Sequence, residues 1–184
     1  MRVIAGEYRG RILVTVKDLS VRPATDRVRQ TLFDMLTTRM VFDGATVLDL
    51  FAGSGSLGIE ALSRGAGRVV FVESSAEAAS CIERNLASLG CRNRGEVVVR
   101  DAGTFLASPQ QQYDLVFADP PYGYGRIGRL PEMIFGRGLV AAGGYLLIEH
   151  TRDAVFSISE QYAATITKKF GRTLVTFFRP AAQQ

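Results

Sequence analysis

Tyr113-Asp-Leu-Val-Phe-Ala-Asp-Pro-Pro-Tyr-Gly-Tyr-Gly125 changes character at its midpoint. Its first half contains an apolar run, Leu115 to Ala118, which is typical of a strand buried on both faces of a sheet. The strand must stop at Asp119, because two prolines, an aromatic residue and two glycines follow, and these cannot continue a central strand. The segment therefore predicts a buried strand that ends abruptly in a carboxylate.

The residues around that strand end favour binding of a planar amine. A carboxylate, backbone carbonyls whose neighbouring prolines have no N–H, and a flat ring together form a pocket floor rich in hydrogen-bond acceptors. Such a floor suits a planar group with an NH₂, and the aromatic ring can stack on it. The alternative is an ordinary strand-to-loop turn in which the aspartate is only a turn residue. The candidate catalytic residues are Asp119, Pro120, Pro121 and Tyr122.

The composition is typical of a compact protein with one domain. The chain has 184 residues, of which 47% are hydrophobic and 22% charged, and this length can bury a full-sized core. No apolar run is long enough to span a bilayer, and residues 1–6 are too short and too quickly polar for a signal peptide. The two cysteines, Cys81 and Cys91, lack metal-ligand spacing. We expect a cytoplasmic monomer with no metal and no membrane partner.

The positive charge is concentrated at the start of the chain. Residues 1–40 contain eight basic and four acidic side chains, which accounts for the whole net charge of +4. A basic end of this kind suggests contact with a polyanion, although a solvated surface can give the same count.

The first 42 residues predict an extension that precedes the core. Residues 2–5 and 11–16 are β-prone and flank a segment with two glycines, which indicates an N-terminal β-hairpin. A helix follows from Asp26 to about residue 40, because apolar residues recur there at helical spacing and Thr25 suits its N-cap. Residues 1–42 and a catalytic core of residues 43–184 then form a single domain, residues 1–184.

The core pattern predicts an α/β fold. Strand-like segments at residues 45–51, 68–72, 96–100, 115–118 and 145–149 alternate with helical segments, which indicates a doubly wound, mostly parallel sheet. Two further β segments, residues 163–170 and 173–179, are separated by only two residues. A gap this short cannot hold a crossover helix, so these segments must form an antiparallel hairpin. The prediction is a seven-stranded, Rossmann-like sheet that ends in this hairpin.

A glycine-rich turn follows the first core strand. Gly53-Ser-Gly-Ser-Leu-Gly58 matches G-x-G-x-x-G, and Glu73 lies 20 residues after Gly53, as in the dinucleotide-binding fingerprint. An NAD-dependent oxidoreductase is therefore an alternative from a different class. In either case the glycines let a cofactor lie against the backbone.

Acidic residues at strand ends distinguish the two kinds of cofactor. Asp49, Glu73, Asp101 and Asp119 each close a strand, and in an open α/β sheet those ends face one ligand crevice. The carboxylate of Asp49, directly before the glycine turn, repels a pyrophosphate but favours a cofactor with positive charge. Asp101 can accept a hydrogen bond from an adenine amino group. A cationic, phosphate-free adenosine cofactor is S-adenosylmethionine.

These residues resemble class I methyltransferases with an (Asp/Asn)-Pro-Pro-(Tyr/Phe) motif, which alkylate planar nitrogens. Nearly the whole chain is similar to the RsmD family, guanine-N2 methyltransferases of small-subunit (16S) ribosomal RNA. This chain departs from the family motif at Ala24, a position where the motif has threonine. The similar segments are Arg2-Val-Ile-Ala-Gly-Glu-Tyr-Arg-Gly-Arg11, Arg22-Pro-Ala-Thr-Asp-Arg-Val-Arg29, Asp49-Leu-Phe-Ala-Gly-Ser-Gly-Ser-Leu-Gly58 and Asp119-Pro-Pro-Tyr122.

The resemblance implies a role for each group of residues. Asp119 and the Pro120 carbonyl would hold the amine of a flipped guanine, and Tyr122 would stack on the base. The partner would be ribosomal RNA or a small-subunit assembly intermediate, and the loop of residues 124–137 would differ in detail from the family. The implied S-adenosylmethionine site comprises Asp49, Phe51, Ala52, Gly53, Ser54, Gly55, Glu73, Ser74, Asp101 and Ala102. The implied RNA-binding residues are Arg2, Arg9, Arg11, Arg22, Thr25 and Arg27.

Three other functions use the same features. A DNA adenine-N6 methyltransferase or a protein-glutamine methyltransferase would need the same acceptor floor. The motifs at residues 2–11 and 22–29 count against both, and the chain has no separate domain for recognising a DNA target. An inactive nucleic-acid-binding module is the remaining alternative. His150, the only histidine, has no visible nucleophile partner, so we expect it to be structural.

Overall fold

The structure, a computed structural model, describes residues 1–16, 26–108 and 111–181. Two of the predicted RNA-binding residues, Arg22 and Thr25, lie outside these ranges. The strands are β1 (Thr46–Leu50), β2 (Arg68–Glu73), β3 (Gly95–Val99), β4 (Tyr113–Ala118), β5 (Val140–His150), β6 (Tyr162–Phe170) and β7 (Thr173–Pro180). The helices are α1 (Asp26–Thr37), α2 (Ser56–Ser63), α3 (Ala76–Leu89), α4 (Ala102–Ala107) and α5 (Leu130–Phe135). None of the helices in the described ranges is long and apolar enough to cross a bilayer.

The seven strands form one sheet in the order β3-β2-β1-β4-β5-β7-β6. The strands from β3 to β5 are parallel, and β7 pairs antiparallel with both β5 and β6. The predicted mostly parallel sheet with its antiparallel hairpin is therefore confirmed. The strand order reverses between β1 and β4, and this reversal creates a crevice at the carboxyl ends of the strands.

The two faces of the sheet bury separate cores. Residues on one face, among them Phe71 and Phe117, pack with α1, α2 and α3, and we call this the α1–α3 face. Their neighbours along the strands, such as Val70 and Val116, pack with α4 and α5 on the other face. Because both faces are covered, β4 is apolar along its buried length, as its sequence predicts.

The N-terminal segment folds back on itself as the predicted hairpin, with one β-bridge in place of a regular ladder. Its two halves pair through a single antiparallel bridge between Arg2 and Ile12. A longer ladder does not form because the N–H groups of Ile4 and Ala5 donate to the Glu60 carboxylate on α2, at 2.7 and 3.1 Å. Backbone hydrogen bonds, such as those from the Val3 N–H to the Arg11 carbonyl and from the Leu13 N–H to the Met1 carbonyl, join the two halves, and Glu60 ties the segment to the core.

Candidate active site

Four neighbouring strands, β2, β1, β4 and β5, carry an acidic residue on the α1–α3 face at or next to their carboxyl ends. These residues are Glu73, Asp49, Asp119 and Glu149. The residue two positions before each acid is buried in that face. Because side chains two positions apart on a strand share a face, the acids lie on the same face. The Asp119 N–H donates to the Leu50 carbonyl at 3.4 Å, which keeps Asp119 in line with β4. We call these four carboxyl groups the acid row.

Asp49 lies deepest in the acid row. It is 1% exposed, and its carboxyl group accepts a hydrogen bond at 2.9 Å from the N–H of Gly58 in the first turn of α2. Burial, together with the charges of Asp119 and Glu73, raises the pKa of Asp49 to about 8, although the Gly58 bond opposes this shift. Asp49 therefore fixes the glycine turn and α2 to the sheet, and its contact with a cofactor stays a prediction.

Two of the glycines in the turn are needed for different reasons. A Cβ on Gly58 would lie 2.3 Å from Cε1 of Phe71, so this glycine allows α2 to pack closely on β2. Gly53 has a φ of +56°, and a Cβ there would meet nothing within 4 Å. The backbone at Gly53 therefore faces open space, into which a ligand could fit.

Glu73 organises the mouth of the glycine turn. One oxygen of its carboxylate accepts from the Gly53 N–H at 2.8 Å, and the other accepts from the Ser75 N–H at 2.8 Å. The hydroxyl of Ser74 also lies 3.4 Å from this second oxygen. Since each carboxylate oxygen has two lone pairs, Glu73 can accept one further bond, and a second when a ligand hydroxyl displaces that of Ser74.

Asp101 and Ala102 lie at the start of α4. Asp101 caps the helix, because its carboxylate accepts from the Thr104 N–H at 3.0 Å, and it remains exposed. Ala102 is buried. A Cβ on Gly103 would lie 3.2 Å from an Arg126 nitrogen and 4.0 Å from the Tyr124 hydroxyl. The loop after the Pro-Pro motif therefore reaches across to the start of α4.

Phe51 connects the two halves of the site. Its φ of +60° is in the left-handed region, which is unusual for a bulky residue and concentrates at functional sites. Its ring packs edge-on against Tyr124, with ring centres 5.1 Å apart. The sequence did not single out Tyr124, because only the folded chain shows that it contacts the glycine turn.

A cavity of about 410 Å³ opens beside the ends of β4 and β5. The four predicted catalytic residues line it, and Tyr122 presents a ring that is 66% exposed. On the β5 side the cavity is lined by Glu149, His150, Thr151, Asp153, Ala154 and Val155. The residues of the glycine turn do not line it, so the structure separates a β4–β5 half of the site from a β1–β3 half.

Glu149 is a site residue that sequence reasoning missed. Burial raises the pKa of Asp119 to about 6. Burial and the nearby Asp119 charge raise the pKa of Glu149 to about 8. The available signal was that Glu149, like the other acids, ends a predicted strand.

His150 has the structural role that we expected. Its ring nitrogens lie 2.8 Å from the Thr151 carbonyl and 2.8 Å from the Thr176 hydroxyl. The ring also packs edge-on against Phe156. Both nitrogens thus have protein partners. Among the described residues, no group of three or more His, Cys, Asp or Glu side chains could hold a metal ion.

The predicted RNA-binding arginines that the structure describes are exposed. Arg2 forms an ion pair with Asp26 at 3.2 Å, and Arg11 donates to the Ser88 carbonyl on α3 at 2.6 Å. Arg9 and Arg27 are also exposed. The contacts of the N-terminal segment are with α2 and α3, and these arginines do not line the cavity. Their contact with RNA stays a prediction.

Comparison with known proteins agrees with this architecture. The model of a family described as Conserved hypothetical protein 95 matches residues 1–179. Ribosomal RNA small subunit methyltransferase D of Haemophilus influenzae is 34% identical over 93% of this chain and 89% of its own. The protein of the same name from Escherichia coli K12 is 38% identical over 81% of this chain and 74% of its own.

A solved structure has the same fold over the full chain. An Escherichia coli protein described as a candidate methyltransferase, yhhF, superposes with a TM-score of 0.88 and 31% identity, covering 100% of this chain and 99% of its own. The fold is thus that of class I methyltransferases. On the family match and the full-length similarity, the chain belongs to the RsmD family.

Proposed function

We propose that this protein methylates the exocyclic N2 of a guanine in small-subunit ribosomal RNA, with S-adenosylmethionine as the methyl donor. The observation that carries the proposal is the position of Asp119, which ends β4 beside an open cavity and lies on the same row as Glu73. The similar proteins named above supply the RNA class. Such a substrate implies that the reaction takes place in the cytoplasm.

The residues of the β1–β3 half fit S-adenosylmethionine. Glu73 can accept a hydrogen bond from one ribose hydroxyl, and from a second when that hydroxyl displaces Ser74, Gly53 faces open space, and Asp101 is exposed at the neighbouring strand end. The carboxylates of Glu73 and Asp119 favour a positively charged ligand and disfavour the pyrophosphate of NAD. When bound, the cofactor supplies an electrophilic methyl group for in-line transfer.

Asp119 can orient the guanine amine for attack on the methyl group. The lone pair on N2 is delocalised into the ring, so the amine is a weak nucleophile until its orientation is fixed. A carboxylate and the Pro120 carbonyl can accept its two hydrogens and aim the lone pair at the methyl group, and such positioning supplies much of the rate gain. With a pKa of about 6, Asp119 is mostly ionised at pH 7. It can therefore also take the proton that the amine loses.

The target base must leave its helix to reach this floor. Extrusion costs a few kcal/mol, and it is partly offset by stacking on an aromatic ring, which contributes about 1–3 kcal/mol. Tyr122 is suited to this role because its ring is 66% exposed at the rim of the cavity.

Labelled methyl transfer tests the proposal directly. Purified protein and methyl-labelled S-adenosylmethionine are incubated with naked small-subunit RNA or with assembled small subunits, and the RNA is digested to nucleosides. We expect the label in N2-methylguanosine with at least one of these substrates. Label in N6-methyladenosine or in glutamine would overturn the guanine assignment, and no transfer to any substrate would overturn the activity.

A thermal-shift titration distinguishes the two classes of cofactor. S-adenosylhomocysteine at 100 times its Kd should stabilise the fold by about 2.7 kcal/mol, whereas NAD at the same concentration should leave the melting temperature unchanged. Stabilisation by NAD alone would favour the oxidoreductase.

A further inference from the structure

We propose, on the basis of the guanine-N2 activity proposed above, that Glu149 is a second base-reading side chain. Its carboxyl group pairs with the N1–H and O6 of the target guanine while Asp119 holds the amine. The acid row then contains a pair of adjacent acids that distinguishes guanine from other bases.

The position of Glu149 follows from the register of the sheet. Ala118 of β4 pairs with Ile148 of β5, so Asp119 and Glu149 are the next residues on neighbouring parallel strands. Such strands lie about 4.8 Å apart. Both side chains are on the α1–α3 face, and both residues line the cavity of about 410 Å³. A base whose amine contacts Asp119 therefore presents the rest of its edge toward Glu149.

Glu149 is not used for anything else in the part of the chain that the structure describes. Its carboxyl group has no ion pair and no hydrogen-bond partner there, although it is partly buried. Glu60 is the contrast, because its carboxylate binds two N–H groups of the N-terminal segment and Arg64. A partly buried acid costs folding free energy when nothing pairs with it, so a ligand-binding role accounts for it better than a structural role.

The two acids cannot both be ionised cheaply, because like charges on adjacent strands repel each other in a partly buried site. The charge that acts on Glu149 is that of Asp119, and with pKa values of about 6 and about 8 Asp119 is the first to ionise. Burial and the charge of Asp119 raise the pKa of Glu149 further than burial raises that of Asp119, so we assign the proton that the pair keeps to Glu149. The other titratable or charged residues that line the cavity are Tyr122, Tyr124, Arg129, His150 and Asp153.

A protonated carboxyl group has one acceptor and one donor side by side. Guanine presents, next to its N2 amine, an N1–H donor and an O6 acceptor, so the two groups can form a pair of hydrogen bonds. Adenine with its amine at Asp119 would present an unprotonated N1 followed by a C–H, and only one bond could form. A site built on such bonds discriminates strongly against a base that leaves one unmade.

The decisive experiment replaces the target guanine by 2-aminopurine once the methylated position has been mapped. This base keeps the amine at C2 but lacks O6 and the N1–H. We expect the wild-type protein to prefer guanine at least about tenfold in kcat/KM. Glu149→Leu should bring that ratio close to one. Glu149→Gln should keep it, because an amide offers the same acceptor and donor, and Glu83→Leu on the exposed side of α3 is the matched control.

A pH profile gives a second readout that a merely structural role would not change. As the pH rises through about 8, wild-type Glu149 loses its proton and thus its donor to O6, so kcat/KM should fall. The Glu149→Gln protein has no such proton to lose. When kcat/KM of each protein is divided by its own value at pH 7, the Gln variant should therefore keep a larger fraction than wild type at high pH. Ionisation of the RNA, and of Asp49, whose pKa is also raised to about 8, affects both proteins equally.

The outcomes separate this inference from the proposed function. An unchanged base ratio in Glu149→Leu, or a Gln variant that loses the preference as fully as Leu, overturns the role of Glu149 while guanine methylation by the wild type stands. Absence of N2-methylguanosine with the wild type overturns the function itself. Because the ratio compares two substrates of one protein, partial unfolding of a variant does not alter it. Affinity for guanine and 2-aminopurine RNA, measured without methyl transfer, should show the same loss of preference in Glu149→Leu.

Discussion

The two halves of the site use acidic side chains in opposite ways. In the β1–β3 half, Asp49, Glu73 and Asp101 all accept hydrogen bonds from backbone N–H groups. In the β4–β5 half, the carboxyl groups of Asp119 and Glu149 have no such bond within the described residues, and both face the cavity. Acids of the first kind shape a binding surface, whereas acids of the second kind are left available for a substrate.

The largest effect is expected at Asp119, where the comparison predicts loss of catalysis without loss of cofactor binding. Asp119→Ala removes the acceptor for the amine, so single-turnover methyl transfer should fall at least about 100-fold. Affinity for S-adenosylhomocysteine, measured by calorimetry, should stay within about twofold of wild type. Asp119→Asn keeps one acceptor oxygen and is the matched control, with an intermediate rate. Near wild-type turnover by the Ala variant would exclude the proposed role.

Glu73 should show the reverse pattern. Glu73→Gln replaces one acceptor oxygen by an NH₂ group, which cannot accept from Gly53 N–H, Ser75 N–H or a ribose hydroxyl. We expect affinity for S-adenosylhomocysteine to fall by about 10- to 150-fold, since bonds to charged groups are worth about 1.5–3 kcal/mol.

Two further measurements on Glu73→Gln complete the comparison. RNA affinity should be unchanged, because Glu73 does not line the cavity. A fall in RNA affinity as large as the fall in cofactor affinity would mean that the two halves do not act separately.

Much of this arrangement is visible in the sequence. Asp49, Glu73, Asp101 and Asp119 are found because strand-ending acids converge in any parallel sheet. Glu149 ends a predicted strand too, but its meaning depends on β5 lying beside β4 in one register, and chain order does not specify which strands are neighbours. The left-handed Phe51 could not be predicted either, since that conformation normally marks glycine.

The N-terminal segment shows a different limit of sequence reasoning. The two β-prone stretches and their pairing were predicted and are found, but one β-bridge and a few backbone hydrogen bonds form in place of a regular ladder. Other backbone N–H groups of the segment, those of Ile4 and Tyr8, donate instead to Glu60 and Ser63 on α2. These partners lie more than 50 residues away in the chain, so no local pattern could reveal them.

A smaller effect is expected from Gly58→Ala, which tests how the β1–β3 half is built. The new methyl group would lie 2.3 Å from the Phe71 ring, so α2 must move away from β2. We expect a loss of about 1–3 kcal/mol in the free energy of unfolding, measured by urea denaturation, together with weaker binding of S-adenosylhomocysteine. In Gly58→Ala/Phe71→Leu the smaller side chain makes room, and the two costs should be less than additive. If the costs of Gly58→Ala and Phe71→Leu in the free energy of unfolding added fully, the contact between these two residues would not limit how closely α2 packs on β2.

The smallest effect is expected from substitutions on the N-terminal segment, whose exposed arginines contact neither half of the site. Reversing the charge of Arg9 and Arg11, both exposed on the N-terminal segment, should remove about two phosphate contacts. RNA affinity should fall about fivefold at physiological salt, and the slope of log affinity against log salt should decrease by about two. Arg92→Glu, exposed on the turn before β3, is the control and should leave both quantities unchanged. An unaltered slope in the double variant would remove the N-terminal segment from the RNA interface, whereas the roles of Asp119 and Glu73 would not depend on it.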